Sequence, residues 1–209
     1  MPPSPTASPP PGSRPGRLSA AERRAALVAA ARVVVLAQGY LPASMEALAR
    51  RAGVSKALIY AHFPRQHDLY AALVEAELDD LEAHGLADAA GRADLADAAC
   101  AAAEAYRAHV ERRGPILHLI YRDPYMRGRL PERARRLRDR ILGGFARRIR
   151  RGHGLSAREA VAAVNLILTA PEEAGRLAWQ GAVAPEAARV SCRELTLGCL
   201  ASLGGAPAA

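Results

Sequence analysis

The sequence predicts an all-α protein, and three observations carry that prediction. Helix punctuation recurs along the chain, with Ser19/Glu22 and Ser156/Glu159 at capping-box spacing and Gly39 and Gly53 where left-handed C-caps fall. No segment sustains the period-two alternation of a strand. Half of the 209 residues are hydrophobic but only nine are aromatic, so the core is to be built from Ala, Leu, Val and Ile. That length suits one or two compact units.

Residues 1–16 are rich in Pro, Ser and Gly and read as a disordered tail. The first helix opens at Ser19, runs through Leu27, Ala30, Ala31, Val34 and Val35, and closes at Gly39. Ser44 opens a short second helix with Leu48, Ala49 and Ala52, closed by Gly53. Ser55 caps a third, Lys56 to His62, and Pro64 suits the first turn of a fourth that reaches about His84. Further helices are expected over Arg92 to Glu111, Pro115 to Tyr121 and Pro131 to Arg151. Ser156 starts another that runs to Trp179 with a kink at Pro171. Pro185 lies just inside the last helix, which ends before Gly204.

The stretch from Ser44 to Phe63 reads as a helix-turn-helix. Ala49 is small where two helices must approach, Gly53 supplies the turn, and Val54 plugs it from below. Leu48, Leu58 and Phe63 are expected to lock the pair onto Leu27 and Ala31. Such a pair presents its second helix to the DNA major groove and the N-terminus of its first to the phosphate backbone.

With these residues in place, the segment from Leu18 to Leu73 resembles the TetR family of one-component bacterial transcription regulators. The matching positions are Leu27, Val28, Ala30, Ala31, Gly39, Tyr40, Ser44, Leu48, Ala49, Ala52, Gly53, Val54, Ser55, Tyr60, His62, Phe63 and Leu69. The resemblance implies an N-terminal three-helix DNA-binding domain (residues 17–70) joined to a larger helical bundle (residues 71–209) for ligand binding and dimerisation. It also implies DNA-contacting roles. Ser44 caps the second helix and offers its hydroxyl and N–H to a phosphate. Ser55, Lys56 and Ala57 open the recognition helix, with Lys56 reaching a base edge or phosphate. Tyr60 and His62 bond phosphates and hold register without reading sequence. Gln66 stands where the family usually has Lys, which removes a charge that the neighbouring Arg65 can supply. Ala57 can touch a thymine methyl but cannot hydrogen-bond a base edge. Arg14, Arg17, Arg23 and Arg24 either thread a minor groove or are solvated charges ahead of the first helix.

The charge is zoned. The formal net charge of +8 hides a balance of −8 over Glu75 to Glu104 and +9 over Arg127 to Arg151, where eleven residues are arginine. The arginine zone is either a second nucleic-acid surface or a solvated helix face balanced by the acidic stretch. Leu130, Ala134, Leu137, Ile141, Phe145 and Ile149 give that helix its apolar stripe. Val161, Val164 and Leu168 on one helix, with Ala188, Cys192, Leu195 and Cys199 on the last, form stripes that suit a four-helix dimer interface or packing within the subunit. Tyr106, His109, His118, Tyr121, Tyr125, Asn165, Glu172 and Trp179 are the candidate lining of a ligand pocket.

Three cysteines without a CxxC pair argue against a disulfide framework or a zinc site. No metal spacing emerges, no cofactor is expected, and there is no GxSxG, HExxH or phosphate-cradling loop, so an enzyme is not expected. Glu172 and Glu173 are adjacent and point about 100° apart on a helix, which does not make a catalytic pair. No apolar run approaches a membrane span and the N-terminus lacks a signal-peptide core, so a soluble cytoplasmic protein is expected. The combined expectation is a homodimer that binds a palindromic double-stranded operator as a repressor and is released by an unknown small molecule. The alternative is an architectural protein that grips phosphate through both arginine-rich zones.

Overall fold

Local capping chemistry sets the first three helices. The computed structural model describes residues 18–203, so the tail 1–16, Arg14 and Arg17 lie outside the described residues. Helix α1 (Ala20–Gln38) begins where the Ser19 hydroxyl accepts from the Glu22 N–H at 3.2 Å and the Glu22 carboxylate accepts from the Ser19 N–H at 2.8 Å. It stops at Gly39, whose φ of +81° is open to glycine without strain. Ser44 caps α2 (Met45–Ala52) through the Ala47 N–H, Gly53 ends it at φ +65°, and Ser55 caps α3 (Lys56–His62) through the Leu58 N–H.

These helices close over Leu27, Ala31, Val35, Leu48, Ile59 and Phe63, all almost wholly buried. The expectation for Leu58 needs correction. Ile59 is the α3 residue in the core and Leu58 is only half-buried. Ile59 and Phe63 are one turn apart and face inward together, which turns Lys56, Ala57 and Tyr60 outward.

Helix α4 (Gln66–Ala83) carries Leu69, Tyr70, Leu73, Val74, Leu78 and Leu81 into a core that continues without a break from the first three helices into the rest of the chain. The short helix α5 (Leu86–Ala90) is absent from the sequence prediction, because five residues are too few for a periodic signal. Then follow α6 (Leu95–Arg113), α7 (Ile116–Arg122), a 3-10 turn (Pro124–Met126) and α8 (Glu132–His153). Asp94, accepting from the Asp97 N–H at 2.7 Å, starts α6 later than expected.

The expected kinked helix from Ser156 to Trp179 is two helices, α9 (Ala157–Ile167) and α10 (Thr169–Trp179). The break falls at Leu168, three positions before the proline. Pro171 has no N–H for the Ile167 carbonyl and its ring crowds that carbonyl, so the chain resets and takes the proline into the first turn of α10. The last helix, α11 (Pro185–Ser202), starts on its proline as expected. The described residues contain no strand.

Helix α6 lies against α5, α10 and α11. Gly175 allows the close approach of α10 to α6, since a Cβ there would sit 2.6 Å from the Arg107 carbonyl oxygen and 2.7 Å from Val110 Cβ. In α8, Arg133 alone among the arginines of its zone pairs with the acidic stretch, bridging Glu75, Asp79 and Glu82 at 3.0, 2.6 and 2.7 Å. Arg135 and Arg136 pair with Glu132 on their own helix, and Arg148 donates to the Ala90 and Ala93 carbonyls.

Candidate functional site

The outward face of α3 has the chemistry of a nucleic-acid surface. Ala57 is exposed and Tyr60 is 45 % exposed, so neither is needed by the core. The Lys56 ammonium is held 2.6 Å from Glu46, and this hydrogen bond raises the lysine pKa and lowers that of the carboxylate. The Ser44 and Ser55 hydroxyls accept from their own helix N-termini. Arg65 forks onto Asp68 with two contacts of 3.1 and 3.0 Å while remaining largely exposed.

Two neighbouring side chains do something other than the sequence suggests. Gln66 is turned inward, donating to the Ala43 carbonyl at 2.6 Å and the Tyr70 hydroxyl at 2.8 Å, so its amide is committed to the fold and not to a phosphate. Arg24 is neither a free arm nor a purely solvated charge. It donates to the His62 carbonyl at 2.9 Å and lies 4.0 Å over the Phe63 ring, tying α1 to the end of α3. The His62 side chain is half-buried.

A cavity of about 950 Å³ lies among α4 to α11. Its wall is mainly apolar, with Leu78, Leu117, Leu137, Ile141 and Phe145 among the larger groups. Tyr106, His118, Tyr121, Asn165 and Glu172 all line it. His109, Tyr125 and Trp179 do not, and each has a visible reason. His109 turns toward α4, with Nδ1 2.8 Å from Asp80 and Nε2 3.4 Å from Glu77. Tyr125 stands edge-on to Tyr70, with ring centroids 5.9 Å apart. Trp179, at the end of α10, is 40 % exposed and lies beside Gly114. Sequence reasoning missed Arg122 and Arg138, which also line the cavity. Nothing local marks two arginines out of so many, and only the helix packing selects them.

Comparison with known proteins now bears on both regions. The family model described as "Bacterial regulatory proteins, tetR family" matches residues 27–73, which span most of α1, all of α2 and α3 and the first turns of α4. Over these residues the chain is similar to the TetR family. It is 34 % identical over 116 residues to the HTH-type transcriptional activator FasR of Mycolicibacterium smegmatis, a stretch that covers 55 % of this chain and 53 % of that relative. The chain thus spans about half the length of the curated relative it matches. In fold it is similar to a TetR-like transcriptional regulator from Rhodococcus sp. RHA1 (TM-score 0.66, 23 % identity, 88 % of this chain and 99 % of the other). It is also similar to the regulator FadR from Bacillus subtilis in complex with stearoyl-CoA (TM-score 0.59, 19 % identity, 86 % and 96 %).

The helix-turn-helix is fastened to the cavity wall by α7 and the turn after it. Asp123 follows the cavity-lining Tyr121 and Arg122 directly. Its carboxylate accepts from the Leu41 N–H at 2.8 Å, in the loop between α1 and α2, and from the Tyr125 N–H at 2.8 Å. The Tyr70 hydroxyl accepts from the Ala43 N–H at 2.7 Å in the same loop, and burial pushes this phenol up to about 12. A second fastening joins α4 to α6. Glu77, fully buried, takes a two-pronged contact from Arg113 at 2.6 and 2.9 Å, and Asp80 accepts from Arg112 at 3.0 Å.

The helices α9 and α11 divide their apolar residues between two faces. Val164, Ala188 and Cys192 are buried within the subunit, which corrects their assignment to a dimer interface. Val161 (51 % exposed) and Leu195 (55 %) face outward, and Leu168 and Cys199 are half-buried. Leu166, at 69 %, and Val190, at 45 %, extend the outward set and were not foreseen.

Proposed function

We propose that this chain is a sequence-specific DNA-binding transcription regulator, acting as a cytoplasmic homodimer on a palindromic or pseudopalindromic operator. The observation that carries the reading is the outward face of α3. Lys56, Ala57 and Tyr60 stand clear of the core, behind a Gly53 turn, within the stretch that matches the family. Residues 17–70 are assigned to DNA and residues 71–209 to ligand binding and dimerisation. Ser44, Ser55, Tyr60, His62 and Arg65 position the module on phosphates, and Lys56 and Ala57 face the bases. Two such helices in a dimer read half-sites about 34–36 Å apart. The protein binds and does not catalyse.

The effector is a small lipid-like molecule in the cavity. Its support is the size and apolar wall of that cavity, together with the stearoyl-CoA bound by the FadR relative. Occupancy acts on DNA through α7, Asp123 and the Leu41 to Ala43 loop, and through α4, whose N-terminal half belongs to the DNA-binding unit. Release requires differential affinity for two states, on the order of 5.5 kcal/mol for a swing from 1:99 to 99:1. Repression with release by ligand is the leading reading of the sign. Activation is the second, favoured by the printed description of the FasR relative as an activator.

Selection from random duplex DNA at physiological salt tests the DNA-binding core of the proposal. A two-fold symmetric site with half-sites one turn apart is expected. Binding with a steep salt dependence but no enriched sequence would replace it with the architectural reading. A reporter carrying the selected site, with and without the protein, then assigns the sign.

A further inference from the structure

The cavity wall contains one polar group whose hydrogen bonding the protein leaves unfinished. Glu172 on α10 is only 9 % exposed. Its Oε2 accepts from the Tyr106 hydroxyl at 2.5 Å, while its Oε1 has no hydrogen-bond partner among the described residues. A buried carboxylate oxygen without a donor carries a desolvation cost that nothing repays. Burial accordingly raises the Glu172 carboxyl above the usual carboxylate range, and the Tyr106 hydrogen bond offsets only part of this. The side chains around it do not complete it. His118 Nδ1 stands 3.7 Å from Oε2, too far for a hydrogen bond, and Glu173 is turned away onto Arg176.

The missing donor therefore has to come from what fills the cavity, and the rest of the wall limits its charge. A cationic group would add to the positive charge of Arg122, which already acts on Glu172, and of Arg138; both are exposed cavity-lining residues with no carboxylate partner within salt-bridge distance among the described residues. An anionic group at Glu172 would face like charge in a poorly hydrated site. A neutral O–H satisfies the carboxylate without either penalty, and the hydrocarbon beside it finds Leu117, Ile141 and Phe145. We propose that the cavity takes a lipid-like alcohol, a neutral molecule whose hydroxyl donates to the Glu172 carboxylate, with Tyr106 holding that carboxylate in place. This deepens the effector part of the proposed function and rests on the cavity being the effector site.

Isothermal titration of the full chain, without DNA, tests the assignment with four probes of one chain length: 1-dodecanol, its methyl ether, dodecanoate and dodecylamine. The ether keeps the oxygen and removes only the donor. Dodecanol is expected to bind roughly tenfold or more tighter than the ether. Glu172→Leu should abolish that difference, and Glu172→Gln, which keeps a carbonyl acceptor, should retain part of it. If the Leu variant does not fold by its melting curve, the alcohol-to-ether ratio in the unaltered protein and in Glu172→Gln decides. Equal binding of alcohol and ether, tighter binding of the amine or the carboxylate, or binding of none of the four overturns the proposal. Operator selection on the same preparation separates this from the function itself. Selected DNA with no preference for alcohol sinks only the ligand assignment, and alcohol preference with no DNA binding sinks only the regulator.

Discussion

Gln66 donates its amide to the Ala43 carbonyl and the Tyr70 hydroxyl, whereas Tyr60 contributes little to the core and stands 45 % exposed on α3. Truncating each therefore has a different consequence. Gln66→Ala leaves the Ala43 carbonyl short of a partner and should lower unfolding free energy by about 1–3 kcal/mol, read by urea denaturation. Tyr60→Ala should leave the denaturation curve in place and weaken DNA binding, and a Tyr60→Ala protein with unchanged affinity would count against the docking pose. His109 offers a third prediction, in pH. Burial holds its pKa below the ordinary histidine value, although Asp80 and Glu77 of α4 pull the other way and Arg113 of its own helix adds to the lowering. The folded chain therefore binds this proton less readily than the unfolded chain, which takes it up below about pH 6.5. Stability is unaffected above that value and falls as pH drops, by at most about 1.4 kcal/mol per pH unit from this group. Melting curves at pH 7.5 and 5.5 should show a larger loss for the unaltered protein than for His109→Gln. Equal losses would mean that His109 is protonated in the fold.

The elements that matter for the proposed coupling are α7, which is cavity wall, and the 3-10 turn after it, whose leading Asp123 anchors the α1–α2 loop. Asp123 is the joint, accepting from the Leu41 and Tyr125 N–H groups at once. Asp123→Ala should cost about 1–3 kcal/mol and loosen the loop leading into α2. Hydrogen exchange should show the Leu41 amide losing protection while the amides of α6 keep theirs, and protection unchanged at Leu41 would remove Asp123 from the route. The sequence announces helices far better than it announces such joints. Ser19/Glu22, Ser44, Ser55 and Ser156/Glu159 are legible because each cap is completed within three residues of itself. The Leu41–Asp123 contact, the inward turn of Gln66 and the entry of Arg122 and Arg138 into the cavity are not, because they depend on which helices come to lie side by side. The break at Leu168 is intermediate. Pro171 signals a disruption, but its position alone does not tell a bend within one helix from the two helices observed.

At the scale of the whole molecule, the outward faces of α9 and α11 carry exposed apolar side chains, and in the proposed dimer they would set how two DNA-binding units are spaced. Both helices are apolar on two sides, so residue spacing alone cannot tell the subunit core from an interface. Packing buries Val164, Ala188 and Cys192 within the subunit and leaves Val161, Leu166, Val190 and Leu195 exposed. Four large apolar side chains exposed on neighbouring helices favour burial against a second copy. The cavity reaches the same face, since Leu166 and Leu195 are part of its lining, so in the proposed dimer the partner subunit would also wall off the proposed ligand site from water. Leu195→Arg places a charge on that face while leaving the buried Ala188, Cys192 and Leu200 of α11 in place. Dimerisation should be lost, read as a halved mass in sedimentation equilibrium, with the helical circular dichroism spectrum retained. Affinity for a two-fold operator should fall by orders of magnitude, because each half-site must then be held alone, while binding to an isolated half-site should change little. A Leu195→Arg protein that remains dimeric would move the interface off α9 and α11. One that is monomeric yet binds the full operator undiminished would separate dimerisation from DNA recognition altogether.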